Sequence, residues 1–226
     1  MKHLFMIFIL SGIIIGENIP EFSASRPGAV NPSSPIQKGL LMIESGIDLA
    51  SNEGLYLQSR YGLLKDVEVY AVFPMDDGLD LNRTSIGAAF MIGDGGGKLP
   101  ESSIYFHADQ ISDPDNSTYS FYLPFSTNII GGQIGFENIT NDSQLTYAIS
   151  HGYSFSENLA GFIELYGSSH SKSLNGMDLS IDGGITYMVA SNIQVDLNIG
   201  TGITDKGDDL FYAIGMAYQI TSFWKN

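Results

Sequence analysis

The stretch Ile193-Gln194-Val195-Asp196-Leu197-Asn198-Ile199 sets an apolar side chain at every odd position and a polar one at every even position. Successive side chains of a strand point to opposite faces, so this period of two gives a sheet one apolar side and one polar side. Two further segments repeat the pattern. Met177, Leu179, Ile181, Ile185, Tyr187 and Val189 stand against Asp178, Ser180, Asp182 and Thr186, and Leu41, Ile43 and Ile47 stand against Glu44 and Asp48. Helical spacing of comparable strength is absent. The chain reads as all-β.

Carried along the sequence, the same pattern predicts about twelve strands, over 39–49, 55–63, 67–73, 84–92, 102–109, 118–126, 128–138, 144–155, 159–168, 175–189, 192–203 and 209–220. Most approach the roughly 9–11 residues that a tilted strand needs to cross a bilayer, against about 5–6 in soluble sheets. Tight turns at 64–66, around Thr127, at 156–158 and at 190–192 alternate with longer polar connections such as 74–83, 110–117, 169–174 and 204–208. Short turns on one side and long loops on the other describe a closed antiparallel up-and-down transmembrane β-barrel. Gly93 to Glu101 is the exception, a long connection on the short-turn side. The equally apolar outward faces of 39–49 and 209–220 leave neither protected as a free edge, so they should pair and close the barrel.

Charge placement fits. The apolar strand faces carry no Asp, Glu, Lys or Arg, whereas the opposite faces carry Glu44, Asp48, Arg60, Glu68, Glu137, Glu164, Asp178, Asp182 and Asp196. A cationic side chain facing lipid at mid-depth costs about 2–4 kcal/mol. A soluble periplasmic sandwich also alternates, with its apolar face inward. Strand length, loop asymmetry and aromatics near strand ends (Tyr147, Phe155, Tyr187, Tyr212, Tyr218) favour the barrel. His151 falls on the apolar face mid-strand, where a bulge or a change of parity is expected.

The chain has 226 residues, 10 Lys and Arg against 25 Asp and Glu, a net charge of −15 and no cysteine. That acidity argues against nucleic-acid partners, which need basic patches. The missing cysteines remove disulfides, cysteine-bound zinc and thiol nucleophiles. Charged residues are 15% of the chain, against about 25% in soluble domains, which suits a surface that largely avoids water. Lys2 and His3 precede an apolar run, Leu4 to Ile15, and residues 1–16 read as a secretory signal peptide. Residues 17–37, with Pro20, Pro27, Pro32 and Pro35, read as an irregular arm. Residues 38–226 form the barrel, with export to the cell outer membrane.

Several segments together resemble the MetA-pathway of phenol degradation family of outer-membrane proteins, commonly labelled transporters. They are Ser25-Arg26-Pro27 through Pro35, Gly39, Glu44 and Gly46; Arg60-Tyr61-Gly62-Leu63 with Val67-Glu68-Val69; Phe162 to Gly167; Asp182 to Tyr187; Asn192 to Thr204; and Phe211 to Tyr218. The resemblance covers about 25–220, and its order and spacing are more specific than any one motif. It departs in three places. Ser25 stands where an acid is usual before Arg-Pro, Ile86 to Met91 lack an expected basic residue, and the chain runs past Ile220 to Asn226 instead of ending on an aromatic. The resemblance implies a barrel, with transport of an aromatic compound proposed for it.

No catalytic, cofactor or metal motif stands out. Gly93-Asp94-Gly95-Gly96-Gly97-Lys98 lacks the glycine and the Ser/Thr of a phosphate loop. Asp113-Pro114-Asp115-Asn116 and Asp205 to Asp209 lack calcium-loop spacing. The four histidines are scattered, and no Ser-His-Asp order is legible. On the polar face, Glu44 and Glu68 flank Arg60 on neighbouring strands and can pair across the sheet, either as a structural staple or as a charge-selecting constriction. Asp48, Glu137, Glu164, Asp178, Asp182 and Asp196 are the other lumen-facing acids, and Glu164 has no cation near it in sequence. The acidic loops, with Asp76, Asp77, Asp80, Asp109, Asp113, Asp115, Asp205, Asp208 and Asp209, are expected to form an extracellular rim. The arm 17–37 is expected to fill part of the lumen. The sequence reading is a channel for small solutes, possessing outer-membrane lipid and the barrel-assembly machinery as its other partners. The alternative is a structural or surface-interaction barrel with a blocked lumen.

Overall fold

The computed structural model describes residues 22–49, 54–75, 84–109, 117–137, 143–170 and 177–221. These form strands β1 (Leu41–Asp48), β2 (Gly54–Leu64), β3 (Val67–Pro74), β4 (Ser85–Asp94), β5 (Glu101–Asp109), β6 (Thr118–Ser126), β7 (Gly131–Glu137), β8 (Gln144–Ser154), β9 (Leu159–His170), β10 (Ser180–Ala190), β11 (Ile193–Gly202) and β12 (Phe211–Ile220). Each strand pairs antiparallel with its chain neighbours. β1 also pairs with β12, from Leu41 opposite Ile220 to Asp48 opposite Ala213, and the sheet closes into a barrel. Closure leaves no backbone edge unpaired in lipid.

The direction of the two faces separates this barrel from a soluble sandwich. In β11, Val195, Leu197 and Ile199 are 37%, 46% and 56% exposed, while Gln194, Asp196 and Asn198 between them are buried. Ile134, Ile163, Ile185 and Ile214 extend the exposed apolar belt around the wall. In water each buried Å² of such surface would gain about 25 cal/mol, so a belt left outside belongs in a bilayer. Tyr153 and Phe155 are exposed at the short-turn rim, with ring centroids 5.2 Å apart, and Tyr119 and Tyr212 are exposed near the loop rim. Aromatics at both rims match the two membrane interfaces.

Local differences from the sequence pattern have simple causes. The β4–β5 ladder runs to Asp94 opposite Glu101, which shortens the supposedly long connection to residues 95–100. Gly95, at φ 72°, makes the turn possible, and the Asp94 carboxylate accepts the Gly96 N–H at 3.0 Å. β7 begins at Gly131 instead of 128, because the Thr127 hydroxyl accepts from the amides of Ile129 and Ile130 and holds them in the turn. His151 involves neither a bulge nor a parity change. It lies opposite Ile163 in an unbroken β8–β9 ladder, near the short-turn rim. Its Nδ1 is 2.6 Å from the carbonyl oxygen of Ile129, which can only accept, so that nitrogen carries the proton.

Ile214 lies mid-wall between Ile47 and Leu197. Replacing it with Arg is expected to lower the unfolding free energy in lipid by about 2–4 kcal/mol, and Ile220→Arg at the rim by about 0–1 kcal/mol. Urea unfolding in lipid vesicles measures both, and equal effects would contradict the membrane placement.

Candidate functional site

Prolines at 27, 32 and 35 remove three backbone donors from the arm and keep it out of any ladder. What remains of its backbone still needs partners, and the lumen wall supplies them. Glu44 on β1 accepts from the Ser25 amide at 3.0 Å, the Ser25 hydroxyl at 2.8 Å and the Arg26 amide at 3.1 Å. Glu164 on β9 accepts the amides of Ala29 (2.5 Å) and Val30 (3.2 Å). Gln133 on β7 accepts the amide of Asn31 at 3.0 Å and its side-chain nitrogen at 2.9 Å. On β5, Ser103 donates to the Ser33 carbonyl at 2.7 Å, and Glu101 accepts from the hydroxyls of Ser33 and Ser34. Glu68 on β3 accepts the Ile36 amide at 2.8 Å. The chain then enters β1 beside β2, where the Gly39 amide donates to Gly62 at 2.7 Å.

The arm therefore travels around the wall. With Asp196 of β11 included, it touches a polar side chain on every odd-numbered strand, at mid-strand on β1, β9 and β11 and nearer the short-turn ends on β3 and β5. Its two ends meet in one apolar cluster, where Phe22 and Ala24 pack on Ile36, Leu40, Met42 and Ala217. Residues 25–38 can span at most about 50 Å, a circle of radius about 8 Å, inside a twelve-strand wall of radius about 12 Å. The arm is a collar lying against the wall.

Arg26 is its deepest anchor. Gly46 on β1 and Gly215 on β12 face each other across the closing seam, and a Cβ on either would collide with the Arg26 guanidinium. The paired glycines form a notch through which the side chain reaches Asp196, with Nη2 2.9 Å from Oδ1 and Nε 3.3 Å from Oδ2. Arg26 also donates to the Tyr56 hydroxyl. Arg26 belongs to the Arg-Pro segment of the family resemblance, but it precedes every strand, so alternation along the strands does not place it in the lumen network.

The three strand residues singled out together do meet. Arg60 grips Glu68 through Nε (3.0 Å) and Nη2 (2.9 Å) and reaches Glu44 through Nη1 at 3.3 Å, all three side chains being buried. Arg60 Nη1 also donates to the Ser23 carbonyl at 2.7 Å, tying strand network and arm together. Ser25, unlike an ionised acid, can donate to Glu44, which fits its place before Arg26. Glu164 finds arm amides in place of a cation. Asp182 is buried opposite Glu164, with Asn198 at 3.5 Å from one of its oxygens. Glu137 accepts the Tyr122 hydroxyl at 2.9 Å. Asp48 borders a cavity near the loop rim. Asp178 lies before β10 begins, at the loop rim, where its carboxylate accepts the Ser168 hydroxyl at 2.6 Å. Of the acidic-loop residues, Asp76, Asp77, Asp80, Asp113 and Asp115 lie outside the described residues.

A hydrolytic arrangement is not assembled by the histidine nearest a serine and an acid. Ser85 donates to Asp109 at 2.5 Å, and His107 Nε2 sits 2.9 Å from that same carboxylate oxygen. His107 Nδ1 faces the Tyr70 hydroxyl at 3.2 Å, so the serine bonds the acid and not the base. Among the described residues, no three His, Asp or Glu side chains gather as metal ligands.

Two cavities flank arm residues 27–31. One of about 320 Å³, toward the loop rim, is bordered by Tyr56, Gln58, Asn198 and Phe211. The other, of about 230 Å³ and toward the short-turn rim, is bordered by Phe125, Ser126, Ser150 and Phe162. Pro27, Val30 and Asn31 border both.

Two predictions test the network. Arg60→Ala strands two buried carboxylates and is expected to lower barrel stability by about 3–5 kcal/mol, less where lumen water screens them. Thermal unfolding in detergent measures it, and an unchanged midpoint would show that the triad is no staple. Gly215→Val closes the notch and is expected to cost about 1–3 kcal/mol. In an Arg26→Ala background the same change should cost at least about 1 kcal/mol less, the coupling of two groups in contact. Additive losses in that double-mutant cycle would dismiss the notch.

Comparison with known proteins agrees with this architecture. No curated protein sequence matches the chain. Among solved structures, a KdgM porin superposes with a TM-score of 0.57 at 12% identity, covering 78% of this chain and 98% of that one. The same porin in complex with disordered oligogalacturonate gives 0.56 at 10%, covering 79% and 98%. A NanC porin gives 0.56 at 10%, covering 80% and 100%. At these identities the likeness is one of fold, a porin-like barrel. A family model described as "Putative MetA-pathway of phenol degradation" matches residues 96–220. That span holds the quoted segments from Phe162 onward, while the arm and the first hairpin precede it. With more than half of its length matched, the chain belongs to that family.

Proposed function

We propose that the chain is an outer-membrane channel admitting small, largely uncharged solutes, with hydrophobic and aromatic compounds as the class the family description indicates. The supporting observation is the pair of cavities meeting at the same arm residues, Pro27, Val30 and Asn31. Each sets aromatic faces (Tyr56 and Phe211, or Phe125 and Phe162) beside neutral polar groups (Gln58 and Asn198, or Ser126 and Ser150). The charged groups that also border them, Arg26 and Asp48 in the first and Glu164 in the second, include two already bonded, Arg26 to Asp196 and Glu164 to the arm amides. Such surfaces suit a small ring compound bearing a hydroxyl. The oligogalacturonate bound by the KdgM porin carries a carboxylate on each sugar. Here Arg26 and Arg60 are already paired with wall acids, so a polyanion gains no free cation from them. In this reading residues 1–16 direct export, the barrel-assembly machinery inserts the wall, and the acidic loop rim faces outward.

A second reading, a barrel with a blocked lumen, draws on Tyr70, Ala89 and Tyr105, which pack with Val72 and Tyr122 and fill the β3–β6 side. One experiment separates the two. Purified protein in planar bilayers should give discrete conductance steps, and proteoliposomes should swell several-fold faster in small neutral ring alcohols than in sugar acids of equal size. Silent bilayers and unswollen liposomes would favour the blocked barrel.

A further inference from the structure

The acids that dominate the polar strand faces are covered at the level of the collar. Glu44, Glu68, Glu164, Asp182 and Asp196 are each 5% exposed or less, and Arg60 is 1% exposed. Four of these acids are bonded to the arm itself, through the amides of Arg26, Ala29 and Ile36 or through the Arg26 guanidinium. The covering segment, Pro27-Gly28-Ala29-Val30-Asn31-Pro32-Ser33-Ser34-Pro35-Ile36-Gln37, has no ionisable side chain. Gly28 and Ala29 are exposed within it, and Val30 and Asn31 are half-buried. Arg26, the nearest charge on the arm, points away into the Gly46–Gly215 notch.

We propose that the arm, and not the barrel wall, presents the specificity-determining surface of this channel, with Ala29, Val30 and Asn31 as the residues a solute meets at the constriction. The inference rests on the channel reading and deepens it. Glu164 fixes the backbone amides of Ala29 and Val30 toward the wall. A solute moving between the two cavities runs along Pro27, Val30 and Asn31, which both share. That surface offers small apolar groups and one carboxamide, whose nitrogen already donates to Gln133 at 2.9 Å. It sorts solutes by size and apolar character. Of the wall carboxylates that border the cavities, Asp48 lies toward the loop rim and Glu164 has both its oxygens engaged by the amides of Ala29 and Val30. Gly28 is unsuited to substitution, since it sits at φ +113° with Glu164 Oε2 3.1 Å from where a Cβ would lie. Ala29 has no such constraint.

The absence of native cysteine makes the test clean. Single-cysteine variants Ala29→Cys and Asp182→Cys of the folded full-length protein are treated with a water-soluble cationic methanethiosulfonate, and labelling is read by mass. Ala29→Cys should label at least tenfold faster, with both labelling fully in urea. In bilayers under a KCl gradient, Ala29→Lys and Ala29→Glu should move the K⁺/Cl⁻ permeability ratio in opposite directions, each at least twofold. Asp182→Asn, which removes a wall charge, should move it less than either. Equal labelling of the two thiols, or a larger selectivity change from Asp182→Asn than from the Ala29 variants, would overturn the assignment to the arm. A silent wild-type channel would defeat the channel reading by itself, while the labelling would still decide which surface faces lumen water.

Discussion

The wall carboxylates and the arm's backbone amides satisfy each other, and the interior of this barrel follows from that exchange. An ionised carboxylate taken from water needs donors, and a backbone N–H taken from water needs an acceptor. Glu44, Glu68 and Glu164 provide acceptors at separate points of the circumference, and the arm brings amides to each. A charged acceptor strengthens each bond relative to a neutral one. The proline-interrupted segment, which could not lie in a sheet, is in this way ordered without secondary structure of its own.

The same exchange explains why charge and glycine occur where they do. Arg60 serves Glu44 and Glu68 together, and both acids still accept from the arm. A single cation thus joins three strands and the collar. Arg26 needs room more than partners, and the room exists because two strands give up their side chains at the same level, Gly46 opposite Gly215. Glycine within a strand usually weakens it and often marks a close approach by another group. Here the group that approaches is a guanidinium from a segment of the same chain.

Much of the wall was legible in the sequence. The alternation of Ile193 to Ile199, and its repeats, reflects a single physical demand, that one face meet lipid and the other not. The closing pair, β1 with β12, followed from two equally apolar outward faces. Arg60 with Glu44 and Glu68 was legible because opposite charges on one face of adjacent strands have few other places to go. The arm's path was not. Its partners, Glu164 and Asp196, lie more than 130 positions away from it, and no periodicity links an irregular segment to a strand that far off. Glu164 has no cation near it in sequence, and its partners are backbone amides, which every sequence possesses and none advertises. Asp178 was placed on a strand because alternation continued past the point where pairing stops, at Ser180.

The barrel and its lining answer to different constraints. Outward positions need only be apolar and of roughly the right length, so many sequences can build the same wall, and a shared wall says little about what passes through it. Inward positions that meet the arm must match particular amides at particular places, and shifting either by one residue would leave a carboxylate or an amide without its partner. Specificity of structure therefore concentrates at the seam between wall and arm, while the arm's opposite side, facing the lumen, is bound by none of these contacts. Ala29 shows the division within one residue, since its amide is committed to Glu164 and its side chain is exposed. A residue held by its amide alone can change its side chain without losing its anchor, unlike Ser25, Arg26 and Asn31, whose side chains are anchors themselves. This makes Ala29 a position where the lumen surface can vary while the barrel stays the same.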